Sequence, residues 1–335
     1  MSPRISVIIP AFNAELFIAD AINSVLAQKY SSETEIIVID DSSSDNTRAV
    51  VSDLCIHYRQ IKLLRNDRKK GPSGARNTGL LNANGNYVAF LDADDLWLQN
   101  HLEEGVTFLD KNKNIDIVFY NSEIQEHETK RKIGNWFSDR NFLKILKTEE
   151  LNDKYYLICD DMFNALLDES FMHLQTMIIR RKVIADTLFN EDIKRSEDRD
   201  FSINLYRKSS ARFAFKNLVT SIYYRHNNSL TSNSIENTLL AVLDHINLFT
   251  KYLLLESLDY STTQKLKRML FDRHMSASYR FRKLNHHKFA LKHLLQSYLY
   301  GIAASQIKEF AKIAISSLIH NKHYQKMKSI IHFNK

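Results

Sequence analysis

Two short acidic runs stand out for their chemistry: Asp40 and Asp41 with Asp45 close behind, and Asp92-Ala-Asp94-Asp95. Each follows an apolar run that reads as a buried β-strand. In an open α/β sheet, ligands bind outside the carboxyl ends of the strands, so both runs would face one crevice. Carboxylates crowded there repel one another unless a cation or hydrogen-bond donors compensate. Oxygen-only ligands suit Mg²⁺ or Mn²⁺, which take one or two carboxylates and complete their shell with substrate phosphates. Asp-Asp-Ser-Ser-Ser-Asp is also sound turn and helix-cap chemistry. The matched strand ends, rather than either run alone, favour a site. Between the runs, Gly71-Pro-Ser-Gly-Ala-Arg-Asn-Thr-Gly79 reads as a turn into a helix bearing Arg76 and Asn77. It lacks the Gly-Lys-Ser/Thr of a phosphate-cradling loop, and no Gly-x-Gly-x-x-Gly follows the first strand. Kinase-like ATP binding and dinucleotide oxidoreduction thereby lose their usual support.

The elements that would hold these residues alternate. Ile5 to Ile9 reads as a strand ended by Pro10, with Asn13 placed to cap the helix that carries Ile18, Ala21, Ile22, Val25 and Leu26. Further strands are expected at 36–39, 62–64, 87–91 and 117–120, with helices at 47–58, 73–82 and 98–111. Such alternation implies a mostly parallel sheet covered on both faces. From Asp139 to about Leu167 the pattern reads as mostly helical. A strand is expected at 177–179, a helix at 197–207 and a strand at 219–224, followed by nearly continuous helix after the polar stretch 227–237.

Four segments in order, Val-Ile-Ile-Pro-Ala-Phe-Asn (7–13), Ile-Asp-Asp-Ser-Ser-Ser-Asp-Asn-Thr (39–47), Gly-Ala-Arg-Asn-Thr-Gly (74–79) and Phe-Leu-Asp-Ala-Asp-Asp (90–95), resemble the family 2 glycosyltransferases of GT-A fold. Two later segments extend the likeness: Ser196-Glu-Asp-Arg-Asp-Phe, where the family carries its catalytic base, and Tyr224-Arg-His-Asn-Asn-Ser-Leu-Thr, which resembles the segment closing over donor phosphates. The resemblance implies a Rossmann-like, mostly parallel sheet flanked by helices and followed by a helical extension. It divides the chain into a catalytic domain over 1–235, with a nucleotide-sugar half at 1–100 and an acceptor half at 101–235, and a basic extension at 236–335. It implies donor binding by Pro10, Asn13, Asp40, Asp41, Arg76, Asp92, Arg225 and His226, and Mn²⁺ or Mg²⁺ on Asp94. Asp198, with Glu197 beside it, would take the proton from the acceptor hydroxyl. Asp41 and Asp95 could equally act from behind or as caps. His173 and Gln175 occupy a region where relatives contact acceptor.

The implied activity is metal-dependent, inverting transfer of a hexosyl or N-acetylhexosaminyl group from a UDP-sugar to a glycan or lipid-linked hydroxyl, in surface polysaccharide synthesis. Two rivals are a non-catalytic nucleotide- or carbohydrate-binding module on the same fold and a nucleotidyltransferase. The second would need a basic, Gly-rich loop near the first strand, which Ala11-Phe-Asn-Ala14 is not.

Composition frames this reading. Of 335 residues, 44% are hydrophobic and 25% charged, the balance of a globular protein. The net charge is +7. From Thr238 onward, 16 Lys or Arg face 5 Asp or Glu, a local +11 that leaves −4 for the rest. A basic, apolar-interleaved stretch at 280–295 suits either packing on a core or peripheral contact with anionic lipid. No nucleic-acid motif accompanies it. No signal peptide is read at the start, and no run reaches the roughly 18 apolar residues of a membrane span. Cys55 and Cys159 read as small buried hydrophobes in a reducing setting. The expected location is cytoplasmic, peripheral on the inner membrane face if the tail docks there.

Overall fold

The computed structural model describes residues 3–226, 234–255 and 257–332. The chain divides into two compact units, 1–227 and 228–335, against the expected division at 235/236.

The first unit is built on one sheet. β1 (Ile5–Ala11), β2 (Thr34–Asp40), β3 (Ile61–Arg65) and β4 (Tyr87–Phe90) are parallel neighbours in the order β3-β2-β1-β4. Their cores (Ile5, Val7, Ile8, Ile9; Ile36 to Ile39; Val88, Ala89) are buried, as expected of strands covered on both faces. The helices α1 (Ile18–Leu26), α2 (Thr47–His57) and α3 (Pro72–Asn82) make the crossovers. After β3 the chain returns past β2 and β1 to place β4 on the far side of β1. That reversal makes the carboxyl ends of β1 and β4 a topological switch point, where α/β sheets open a crevice. Pro10 is tolerated in a central strand because β4 stops pairing at Phe90, opposite Ile8.

Two glycines set α3. Gly71 has φ +131°, a backbone that L side chains rarely adopt, and Pro72 then opens the helix. A Cβ on Gly79 would lie 2.4 Å from Ile8 Cγ2, so glycine lets α3 press directly onto β1. Arg76, one turn earlier on the same face, is carried to the end of the sheet.

Beyond β4 the sheet is mixed. β5 (Leu96–Trp97) and α4 (His101–Lys111) lead to β6 (Ile117–Glu126) and β7 (Lys132–Asn135). The segment 139–167, expected to be mostly helical, contains two short α-helices, α5 (Phe142–Ile145) and α6 (Met162–Asp168), and a 3-10 turn at Asn152–Lys154 around the strands β8 (Thr148–Glu150) and β9 (Tyr155–Ile158). Partners outside the segment override its local pattern: Tyr156 pairs with a Phe215 strand, and Tyr155 stacks on Phe108 at 3.9 Å. β10 (Ile178–Arg180) runs antiparallel between β4 and β6, followed by α7 (Arg181–Ile184) and α8 (Glu197–Ser209). β11 (Phe213–Arg225) lies parallel to β6 and is twice the expected length. The polar outer halves of β6 and β11, such as Asn121, Ser122, Thr220 and Ser221, pair with each other and hide from a hydrophobicity pattern.

Two smaller expectations are corrected. Asn13 does not cap α1, which begins at Ile18 after an N-cap at Phe17; Asn13 instead adopts φ +49°. Cys159 is exposed rather than buried, and Cys55 half-buried; both thiols are free.

The second unit is helical. Ser234 and Asp259 cap α9 (Ile235–Leu253) and α10 (Tyr260–Lys283), and α11 (His287–Ser297) and α12 (Ala304–His332) follow. Ala290, Leu294 and Ile313 form a small core with Met275, Phe281 and Leu291 against it. A buried Arg282–Glu309 pair at 2.8 Å links α10 to α12. Among the described residues, no helix is long and apolar enough to cross a membrane.

His101, at the start of α4, is fully buried beside Trp97 at 4.2 Å, with its Nδ1 2.9 Å from Thr220 Oγ1. Burial drives its pKa down to about 3. A histidine kept neutral when folded gains a proton on unfolding below its ordinary value near 6.5. Its contribution is therefore whole above pH 6.5 and is lost as pH falls towards 3. Melting temperature should drop between pH 6.5 and 4, and His101→Gln should flatten that slope while lowering stability at neutral pH. An unchanged slope in the variant would assign acid sensitivity to other groups.

Candidate active site

The crevice is assembled from the ends of β1, β2 and β4 and the start of α8. Asp40, 2% exposed, ends β2 opposite Ala11 of β1. Its Oδ1 accepts from Ser43 N at 3.1 Å, and its Oδ2 meets Arg48 at 3.2 Å. Asn13 Oδ1 accepts from Ser44 N at 2.8 Å, so the loops after β1 and β2 are tied together. Asp41 turns the other way: its carboxylate accepts from Asn66 Nδ2 at 2.5 Å and from Gly71 N at 2.8 Å. It therefore fixes the loop that launches α3. Pro10, half-buried, closes the β1 side.

Arg76 is the hub. It is 5% exposed and donates to Asp92 Oδ1 at 2.7 Å and to Glu197 Oε1 at 2.9 Å. Its guanidinium joins residues 16 and 121 positions away, drawing the end of β4 and the start of α8 into one site. Its Nε is buried without a partner. The two carboxylates hold its pKa above the ordinary arginine value against the opposing effect of burial.

Glu197 and Asp198 open α8, where the helix dipole favours negative charge. Burial pushes both carboxyls upward, and their mutual repulsion adds to Glu197. Glu197 accepts from Arg76, and Asp198 accepts from the Arg199 backbone N at 2.7 Å. Arg199 is buried and donates to the carbonyls of Leu166 and Leu167, which anchors the helix start on α6.

Asp92 and Asp94 keep 37% and 44% of their side chains exposed, facing the crevice. Asp95 is buried and accepts from Tyr224 N at 2.8 Å; burial and its two acidic neighbours raise its pKa well above the carboxylate range. That bond brings the end of β11 over the acidic loop. His226 Nε2 thereby lies 3.3 Å from Asp94 Oδ2, while Arg225 next to it is exposed. The remainder of the late segment, 227–231, lies outside the described residues.

His127, which the sequence reading missed, stacks on His226 at 4.3 Å and edges onto Phe17 at 4.8 Å. It sits in the turn between β6 and β7, 99 positions before His226, and no local pattern announces it. His173, 9% exposed, is packed flat against Trp136 at 4.3 Å with its Nδ1 3.0 Å from Ser122 Oγ. Burial lowers its pKa to about 4, keeping it neutral at physiological pH. Gln175 is buried, and its carbonyl accepts from Trp97 Nε1 at 2.8 Å, so it braces β5.

A parallel sheet reversing at β1/β4, carboxylates at the switch point and a helical extension define the GT-A fold. Crystal structures share it: S. aureus TarS 1-349 in complex with UDP-GlcNAc superposes at TM-score 0.61 with 19% identity, over 96% of this chain and 92% of that one. The Pyrobaculum calidifontis mannosyltransferase PcManGT, in complex with GDP-Man and Mn²⁺, does so at 0.53 with 15% identity, over 98% and 85%. The chain belongs to glycosyl transferase family 2, whose model matches residues 6–188, more than half of it. It is 48% identical over 120 residues to the UDP-Glc:alpha-D-GlcNAc-diphosphoundecaprenol beta-1,3-glucosyltransferase WfgD of Escherichia coli, a match covering 36% of this chain and 46% of that relative. The GalNAc(5)-diNAcBac-PP-undecaprenol beta-1,3-glucosyltransferase of Campylobacter jejuni is 32% identical over 62% of this chain and 61% of its own length. An uncharacterized glycosyltransferase of Haemophilus influenzae is 28% identical over 93% and 95%.

Proposed function

We propose that the protein transfers a sugar, with inversion, from a UDP-sugar to a hydroxyl of a lipid-linked glycan during surface polysaccharide synthesis. One observation carries most of this: Arg76 bridges Asp92 at 2.7 Å and Glu197 at 2.9 Å, bringing a donor-side carboxylate and a base-side helix together. The two family relatives named for transfer to undecaprenol-diphosphate-linked sugars support the acceptor class.

In this reading residues 1–100 hold the donor, with Asp40 beside the base and Asp92 beside the ribose. Asp41 supports the donor site through the 66–71 loop. The acceptor enters over 101–235. Asp198, beside the Arg76-bonded Glu197 at the start of α8, takes the hydroxyl proton. Arg225 or His226 adds positive charge at the diphosphate.

The donor set at Asp94 fits Mn²⁺ or Mg²⁺: half-exposed carboxylates at alternate positions of one loop, with the His226 imidazole 3.3 Å from Asp94 Oδ2. Among the described residues, no group of three His, Cys, Asp or Glu could hold an ion by itself. That suits a cation completed by the donor's phosphates. Such an ion, when bound, disperses the charge developing on the leaving diphosphate. Asp95 contributes by holding β11 over the loop.

For the second unit we propose contact with an anionic lipid surface. Leu299, Ile302, Ile307, Phe310, Ile315 and Leu318 are exposed. They stand in the part of the chain from Thr238 onward, whose 16 Lys or Arg against 5 Asp or Glu give it a net +11, the combination that favours peripheral binding.

The reading is tested by thermal shift with a panel of nucleotide-sugars. UDP-sugars should raise the melting temperature when Mn²⁺ is present. At 100 times Kd the stabilisation is about 2.7 kcal/mol. Excess chelator should remove most of the shift, and Asp94→Ala should lose it. Full UDP affinity in chelator would refute the metal assignment, and no response to any nucleotide-sugar would refute the donor site.

A further inference from the structure

The acceptor half contains a cavity of about 420 Å³ that plays no part in the chemistry described so far. It lies where β6, β7 and β11 meet the segment leading into α5. Asn121, Asn135, Asn217, Arg140 and Lys144 are among its lining residues. The register of β11 against β6 shifts between Lys216 and Val219, and bulges of this kind re-aim side chains near sites.

The lining is prepared for an oxygen-rich ligand. Asn121 and Asn217 hold each other, Nδ2 to Oδ1 at 2.9 Å, while Asn121 Oδ1 accepts from Phe137 N at 3.0 Å. That frame is satisfied. Two other polar atoms are not: Asn135 Oδ1 and Arg140 Nε are buried without hydrogen-bond partners. Buried polar atoms are nearly always paired, so an orphan donor and an orphan acceptor at one cavity point to a missing ligand. Among the described residues neither Arg140 nor Lys144 has an ion-pair partner, and the described lining contains two cations and no carboxylate.

The cavity also has a fixed aromatic wall. The Arg140 guanidinium lies 4.4 Å from the Trp136 ring centre. Trp136 donates its Nε1 to Phe171 O at 2.9 Å and stacks on His173 at 4.3 Å, which fixes the ring. A guanidinium held flat on a ring presents its edge for bidentate capture of a carboxylate or phosphate.

We propose that this cavity is an acceptor subsite that selects a sugar bearing a carboxylate or a phosphate, one or more residues removed from the hydroxyl that reacts. This rests on the glycosyltransferase reading above and specifies its acceptor as anionic.

The full chain carries two tryptophans, and Trp97 is buried and bonded to Gln175 O. Trp136 emission therefore reports the cavity, with Trp136→Phe as the control. Without donor, the protein is titrated with glucuronate, glucose 6-phosphate, glucose and inorganic phosphate. Glucuronate or glucose 6-phosphate should change the emission and saturate, and whichever does so names the anion. Glucose over the same range should not. Arg140→Gln and the exposed Lys144→Gln should each weaken that binding about tenfold or more, the loss expected of a charge-assisted bond. Both variants should bind UDP with Mn²⁺ as the wild type does, which also shows that they fold. Glucose binding as tightly as the charged sugars would overturn the proposal. So would inorganic phosphate matching glucose 6-phosphate, or both variants retaining full affinity. Wild-type protein that fails to bind UDP would instead count against the donor site, independently of these titrations.

Discussion

Asp198→Asn should lower turnover by about 10²- to 10⁴-fold, the range of general base catalysis, and leave UDP affinity within a factor of two. The substitution keeps the side chain's shape and its oxygen for the Arg199 backbone N–H at 2.7 Å, so the first turn of α8 should keep that bond. It removes only the capacity to accept a proton. The neighbouring acid makes the experiment discriminating. Glu197 accepts from Arg76 at 2.9 Å, and its replacement by Gln would loosen the bridge to Asp92. Glu197→Gln should therefore lower stability and donor affinity as well as rate. Near-wild-type transfer by Asp198→Asn, with a collapse confined to rate in Glu197→Gln, would move the base by one residue. If both variants stay active, the acids serve only the helix dipole. The pH profile adds a check. Burial holds the Asp198 carboxyl above its ordinary value, so the acid limb of the rate should lie above that of an exposed aspartate and vanish in Asp198→Asn.

How much of this was readable beforehand follows from where the stabilising partners lie in the chain. The strands β1, β2 and β4 carry their own signal, because continuous burial on both faces demands uninterrupted apolar runs. The acidic residues after them were legible for the same reason: strand ends fix their place in space. Expectation failed where a segment's structure depends on distant partners. Tyr155 to Ile158 is a strand because β11 is beside it, and the outer half of β11 is a strand because β6 is. Both are too polar or too short to announce themselves. The positions of Asp41 and Asn13 illustrate the finer limit. Residue type and motif place both near the site, but only the fold shows Asp41 bonded to Gly71 N and Asn13 bonded to Ser44 N. The Arg76–Glu197 pair spans 121 positions, and nothing local to either residue implies the other.

That pair carries the largest stability prediction. Arg76 is 5% exposed and joins two carboxylates from separate parts of the chain. Burying such an arrangement costs desolvation, so the bridge as a whole contributes little net stability. Removing the cation alone is different, because Glu197, with 12% of its side chain exposed, is left as an uncompensated acid facing Asp92 and Asp198. Arg76→Met keeps much of the volume and should cost about 3–5 kcal/mol in urea unfolding, a large part of a typical domain's stability. Arg76→Lys should recover only part of this, since an ammonium cannot present the fork that spans both acids. Adding Glu197→Gln to Arg76→Met should restore stability, and the double-mutant cycle should show coupling well outside additivity. The dependence on pH has a definite sign. Burial and the Asp198 charge already raise the Glu197 pKa against the pull of Arg76, and losing that pull raises it further. The variant's acid is then protonated over more of the pH range, so the cost should be smallest near pH 5 and grow towards pH 8. A loss below about 1 kcal/mol, or one independent of pH, would mean that water rather than Arg76 compensates these carboxylates.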